Sequence, residues 1–210
     1  MANLFGWGAR REPEPAAQTP ARPADSVSTS VVLPKFLSAL SSRPTPTILD
    51  LGPVVGANVS FFGERLACKL LIGDFHRDIG SHGRDAAALQ ERLLARLTST
   101  VPDGLDGVLC WDVFDFLPKA VAHAVGGFLT TRLLPGGVIH GFFGSTPAEL
   151  THYTKFIVQS PTSIESRFEP AQATRRTVLQ TRDLSTMFPG LKILESVLLK
   201  SQRRETLMRK

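Results

Sequence analysis

Three carboxylates in this chain each follow an apolar run: Asp50 after Thr47-Ile48-Leu49, Asp74 after Leu70-Leu71-Ile72-Gly73, and Asp112 after Val108-Leu109-Cys110-Trp111. An acid at a strand tip can accept hydrogen bonds from a ligand's hydroxyl or ammonium groups, or take up a proton. The first run continues as Leu51-Gly52-Pro53-Val54-Val55-Gly56-Ala57-Asn58, with one glycine after the strand and another where a helix can begin. A parallel strand needs this if its backbone is to turn sharply and leave room for a nucleotide-like ligand. Gly52 lacks a Cβ, so a ligand can approach its main chain.

These acids need a frame, and the pattern supplies one. Apolar runs at Thr47–Leu51, Cys68–Asp74, Gly107–Trp111 and Val138–Phe143 read as buried parallel strands. Between them, Asn58–Arg65, Asp85–Leu97 and Pro118–Leu133 read as helices; Leu89, Leu93, Leu94 and Leu97 share one face of the second. A short helix over Val31–Leu40 precedes the sheet. Strand-like segments at Leu191–Ser201 and Arg204–Met208 suit an antiparallel hairpin at the sheet edge, behind a short helix at Asp183–Phe188 with Thr181 as its N-cap. The expected architecture is a doubly wound, Rossmann-like, mostly parallel α/β sheet with a C-terminal antiparallel hairpin. Between Asp74 and Asp106 the pattern yields one helix and no clear third strand.

Apolar residues make up 42% of the 210 and charged residues 20%, the balance of a chain able to bury a core. Residues 1–30 are set apart by their Pro, Ala, Ser and Thr content and read as a disordered tail, with residues 31–210 as the folded domain. The tip Leu4-Phe5-Gly6-Trp7 could dock on an apolar partner or simply fray. A net charge of +5 favours acidic partners without identifying one. No stretch is apolar enough to span a bilayer, and the N-terminus lacks an apolar signal region. Cys68 and Cys110 both sit in apolar runs, so neither a disulfide nor a metal site is expected, and a reducing cytoplasm is the default compartment.

Taken in order, Leu49-Asp50-Leu51-Gly52 with Gly56, then Asp74, then Asp106-Gly107-Val108-Leu109-Cys110-Trp111-Asp112, then Leu133-Leu134-Pro135-Gly136-Gly137 resemble motifs I, II, IV and V of the class I S-adenosylmethionine-dependent methyltransferases. The match covers roughly residues 31–210. It departs from the family where the middle glycine of motif I is Val54, and in the absent third strand, which leaves no residue for the usual contact to adenine. The resemblance implies S-adenosylmethionine as cofactor. Asp50, Gly52, Pro53, Gly56 and Asn58 would lie around its amino-acid end, Asp74 on its ribose, Phe75 against adenine, and Cys110 and Trp111 beside the methionine part. Asp112 would stand near the reacting methyl as the base, where a base is needed.

Each residue has a plainer reading. Asp50 could cap the turn, Asp74 could be solvated, Trp111 could be core, and Asp112 could cap the next helix. His140 reads as a core histidine, and His76 and His82 as solvated loop residues. The implied reaction is methyl transfer to an oxygen or nitrogen of a small-molecule acceptor, and the rival is a non-catalytic binding or sensor protein of the same fold. The acceptor would be gripped by residues 145–179, whose Lys155, Arg167, Arg175 and Arg176 suggest an anion. Nucleic acid is disfavoured: no Asp/Asn-Pro-Pro-aromatic motif follows the fourth strand, and the terminal Arg203, Arg204, Arg209 and Lys210 suit an edge strand that must avoid pairing.

Overall fold

Apolar runs too short to shield both faces alone become the strands of one twisted sheet in the computed structural model, which describes residues 23–82, 85–102 and 104–210. In chain order the elements are β1 (Ser26–Thr29), α1 (Leu33–Ser41), β2 (Thr47–Asp50), α2 (Gly56–Leu66), β3 (Lys69–Ile72), α3 (Phe75–His82), α4 (Ala86–Thr100), β4 (Leu105–Trp111), a 3₁₀ turn (Val113–Phe116) and α5 (Lys119–Arg132). There follow β5 (Leu133–Gly144), β6 (Glu149–Ser160), β7 (Ser163–Arg175), α6 (Thr181–Met187), β8 (Lys192–Leu198) and β9 (Arg203–Arg209).

The main sheet has the order β3-β2-β4-β5-β9-β8. Its first four strands are parallel, and β9 enters antiparallel between β5 and β8. This is the doubly wound arrangement expected, with one refinement: β8, not β9, is the edge, and its residues alternate between exposed and half-buried. Two helices and no strand fill the span between Asp74 and β4 among the described residues. Asp85 caps α4 through bonds from Ala87 N and Ala88 N, which is why that helix starts where it does. The short helix α6 is capped by Gln180, not Thr181, because Gln180 and Asp183 close a reciprocal capping box.

Two apolar layers flank the sheet. One packs Leu89, Leu93 and Leu97 of α4 with Val121, Val125 and Leu129 of α5 against β4. The other packs Phe36, Leu37 and Leu40 of α1 and Phe62 of α2 against Ile48, Leu109 and Phe142. The segment 145–179 holds a long hairpin, β6–β7, whose Phe156, Val158 and Ile164 join the second layer. Ser26–Thr29 pair with β7 as the third strand of this small sheet, so those residues, placed in the tail by their composition, are ordered. The tip Leu4–Trp7 lies outside the described residues.

Candidate functional site

The glycine bend after β2 is built around Asp50. One oxygen of its carboxylate, Oδ1, accepts from Gly52 N at 2.8 Å and from Trp111 Nε1 at 2.6 Å. Burial pushes the Asp50 carboxyl up to about 7, against the pull of those two donors. Trp111 ends β4 with φ 47° and lies 2% exposed, stacked on Phe156 at 5.2 Å and Phe142 at 6.4 Å. A Cβ at Gly52 would stand 2.7 Å from Trp111 Cδ1, so the space spared by this glycine is used by the indole. Trp111 is therefore core as well as neighbour to the bend. Cys110 beside it is fully buried, and burial pushes its thiol up.

The outer side of the bend is open. Val54, Gly56 and Ala57 are exposed, and a Cβ at Gly56 would touch nothing within 4 Å. Val55, the N-cap of α2, offers no side-chain bond; Asn58 N bonds to Val55 O at 3.0 Å, and the amides of Gly56 and Ala57 at the exposed start of the helix are left without a side-chain cap. Asn58, expected at the cofactor, is instead a strut. Its amide donates to Phe156 O and accepts from Val158 N, both at 2.8 Å, clamping β6 onto α2.

Main-chain bonds continue the β2–β3 pairing past the strands, from Gly73 N to Asp50 O (2.6 Å), Asp74 N to Gly52 O (3.2 Å) and Phe75 N to Leu51 O (3.0 Å). They bring Asp74 beside the bend, half-buried and with φ 48°. Phe75, expected against a ligand ring, is fully buried in the α4 layer. Pro53 is half-buried on the bend.

A second group of residues, largely missed in the sequence, gathers past the tips of β4 and β5. Asp112 precedes one 3₁₀ turn and Asp115 lies within it, joined by Asp115 N to Asp112 O at 3.0 Å, and both carboxylates are fully buried. Arg203 of β9 reaches Asp112 Oδ2 at 3.1 Å and Asp115 Oδ2 at 3.6 Å, and Arg176 reaches Asp115 Oδ2 at 3.2 Å. Asp115 also accepts from Gly144 N at 2.7 Å. Burial acts to raise the Asp112 carboxyl, but Arg203 and His76 outweigh it and hold it below its ordinary range. For Asp115 burial wins, and it is pushed up to about 7. Asp112 occupies the N-cap position without making the capping bond.

His76 is on α3, not in a solvated loop, and is 9% exposed. It stacks on Tyr153 at 4.5 Å and meets Phe116 edge-on at 5.1 Å. Its Nε2 stands 3.7 Å from Asp112 Oδ1, too far for a hydrogen bond, and has no other partner. His76, Ile79, Gly80, Phe116, Tyr153 and residues 170–174 of β7 line a cavity of about 220 Å³. The signals that could have pointed here are the Asp112–Asp115 spacing, which a 3₁₀ turn places on one side, and the histidine two residues after Asp74.

The remaining candidates are structural. His140 is buried, its Nε2 2.8 Å from Glu205 Oε1, and Ser30 Oγ donates to that same oxygen. Both partners converge on the carboxylate, so this serine, glutamate and histidine form no relay toward a nucleophile. Lys155 pairs with Glu169, Arg167 with Glu165 and Arg176 with Asp115, which neutralises three of the four cations behind the expectation of an anionic acceptor. The terminal cations do not guard an edge: Arg203 enters the acid pair, and Lys210 Nζ donates to the carbonyls of Thr130 and Leu133. Cys68 and Cys110 are free, and no metal-binding cluster occurs among the described residues. No helix of the described residues is long and apolar enough to cross a membrane.

No family model and no curated protein matches the chain. Solved structures do. The PH0226 protein of Pyrococcus horikoshii is 16% identical with a TM-score of 0.50, the match covering 84% of this chain and 87% of that one. An S-adenosylmethionine-dependent methyltransferase of Clostridium acetobutylicum is 11% identical with a TM-score of 0.49, covering 84% and 90%. The 1,6-didemethyltoxoflavin N1-methyltransferase of Burkholderia thailandensis is 12% identical with a TM-score of 0.46, covering 86% and 79%. At such identities the likeness is one of architecture: the sheet order and the inserted antiparallel strand give this chain a Rossmann-like, mostly parallel α/β fold.

Proposed function

We propose that this protein binds S-adenosylmethionine across the tips of β2 and β3 and transfers its methyl group to a nitrogen or oxygen of a small acceptor. The observation that carries the reading is the pairing of the open, uncapped N-terminus of α2 with the half-buried Asp74 across one bend. When bound, the cofactor supplies a methyl group already activated on a sulfonium, so the protein's task is chiefly to align the partners.

The residues on the outer bend fit this group. The uncapped amides of Gly56 and Ala57 suit a carboxylate, aided by the positive end of the helix. The carboxylate of Asp74 suits a ribose diol. The β6–β7 hairpin is clamped onto the helix that follows the bend by Asn58. With most of the hairpin's cations already paired, a neutral acceptor fits better than an anionic one. The reading carries no compartment beyond the reducing cytoplasm suggested by free cysteines.

A second reading is favoured by Trp111. Its indole fills the space beside Gly52 that a ligand's methionine part would otherwise approach, as suits a binding protein that keeps the fold without turnover. Calorimetric titration with S-adenosylmethionine and its demethylated product separates the two. Saturable binding by wild type, lost in Asp74→Ala, together with methyl transfer to a small-molecule panel, is the expected result. Binding without turnover supports the second reading, and absence of binding to either compound overturns the cofactor site.

A further inference from the structure

The cavity between α3 and the β6–β7 hairpin has walls that specify a ligand. We propose that it seats a small, neutral, planar molecule bearing an N–H or O–H group, and that His76, backed by Asp112, accepts that proton. This rests on the methyl-transfer reading for its purpose, but not for its test.

Three rings set the shape of the cavity. His76 and Tyr153 lie nearly parallel, 18° apart, and Phe116 meets His76 at 88°. Such a corner accepts a flat π-system by stacking or by edge contact. A volume of about 220 Å³ exceeds the ~150 Å³ in which a benzene ring is known to bind, so one ring or two fused rings fit.

The lining residues carry no carboxylate, lysine or arginine, and Arg203 and Arg176 behind the wall are held by Asp112 and Asp115. An ionic ligand in the cavity would lose hydration without a charged partner on its walls.

The Nε2 of His76 is buried, without a hydrogen-bond partner, and stands 3.7 Å from the Asp112 carboxylate. A closing shift of under ~1 Å would make that contact a hydrogen bond, as happens when catalytic groups tighten around a ligand. Asp112 would then fix the proton on Nε2 and leave Nδ1 as the basic nitrogen. The ligand's N–H or O–H proton passes to Nδ1, and the bonding pair stays on the ligand heteroatom, which becomes the nucleophile. The imidazolium so formed is countered by Asp112 and returns its proton to water. Asp112 acts here through His76, as a positioning residue.

The test uses the full chain labelled with ¹⁵N-histidine and no cofactor. Phenol and benzimidazole are titrated while the His76 ring resonances, assigned with His76→Gln, are followed. Both should shift them saturably, with benzoate and cyclohexanol binding at least tenfold more weakly. Ala171→Phe, which fills the cavity, should abolish the shifts. His76→Phe, which keeps the shape, should weaken phenol about tenfold by calorimetric titration while the thermal transition stays cooperative. Shifts absent with both probes overturn the proposal. Saturation by adenosine in place of phenol also overturns it, by making the cavity a seat for the cofactor's ring. Because no methyl donor is present, failure to bind S-adenosylmethionine would leave this result standing.

Discussion

Trp111 Nε1 donates to Asp50 Oδ1 at 2.6 Å, so the indole that ends one strand is fastened to the acid that ends its neighbour. The bond joins the two motifs read in the sequence as separate ligand contacts. It also makes the acid's protonation state a matter of fold stability.

The Asp50 carboxyl is raised from 3.8 to about 7 by burial. The folded state thus holds this proton more tightly than the unfolded state does. The stability it contributes is complete below pH ~3.8 and is lost as pH rises through about 7, where the acid must ionise in a buried site. Three pKa units correspond to at most about 4 kcal/mol. Asp50→Asn keeps an acceptor for Gly52 N and Trp111 Nε1 and cannot ionise. The variant should therefore gain on wild type as pH goes from 4 to 8, read as the difference in Tm. A difference that stays constant over that range would show that Asp50 is already ionised without penalty.

Asn58 closes two bonds between α2 and β6 in a buried setting. Asn58→Ala leaves Phe156 O and Val158 N without partners, at a cost of about 2–4 kcal/mol. The urea midpoint should fall accordingly. Asn58→Asp keeps the acceptor for Val158 N, yet it buries a carboxylate against Phe156 O. It should therefore be no better than alanine at pH 8 and should recover at pH 4. Equal midpoints for wild type and Asn58→Ala would remove the strut.

Arg203 is the cation shared by the two buried aspartates. Arg203→Met leaves Asp112 with no arginine at ion-pair distance, and breaking such a pair from one side costs about 3–5 kcal/mol. Arg203→Met with Asp112→Asn removes both charges and should recover a large part of that loss in chemical denaturation. If the double variant is as unstable as the sum of the two single ones, the pair is not coupled.

The strands of the main sheet, the glycine bend and the missing third strand were legible because each is local. Apolar runs mark β2, β4 and β5, and Asp85 announces α4 by its own side chain. The β6–β7 hairpin was not legible: register shifts at Leu150/His152 and Val158/Ser160 break the alternation that identifies a strand. The candidate site was only half legible. Asp50, Gly52 and Asp74 sit at the ends of their own apolar runs, whereas His76, Asp115, Arg176 and Arg203 meet only once the chain has folded. The role of Trp111 was decided by Phe142 and Phe156, which come from later strands.

Gly52 separates two accounts of the bend. If glycine is there only so that a ligand can come close, Gly52→Ala should spare stability and harm binding. The geometry says otherwise: the new methyl would lie 2.7 Å from Trp111 Cδ1 and 3.1 Å from Asp50 Oδ1. Overpacking of this kind costs about 1–3 kcal/mol in a closed core. Trp111→Ala takes away the whole indole, including Cδ1, and loses the bond to Asp50, so alone it destabilises. Combined, the two changes should cost less than their sum, with a coupling of about 0.5–3 kcal/mol from urea unfolding of the four proteins. Strict additivity would mean that the indole does not occupy the glycine's space in solution, and the bend would then be free for a ligand on both sides.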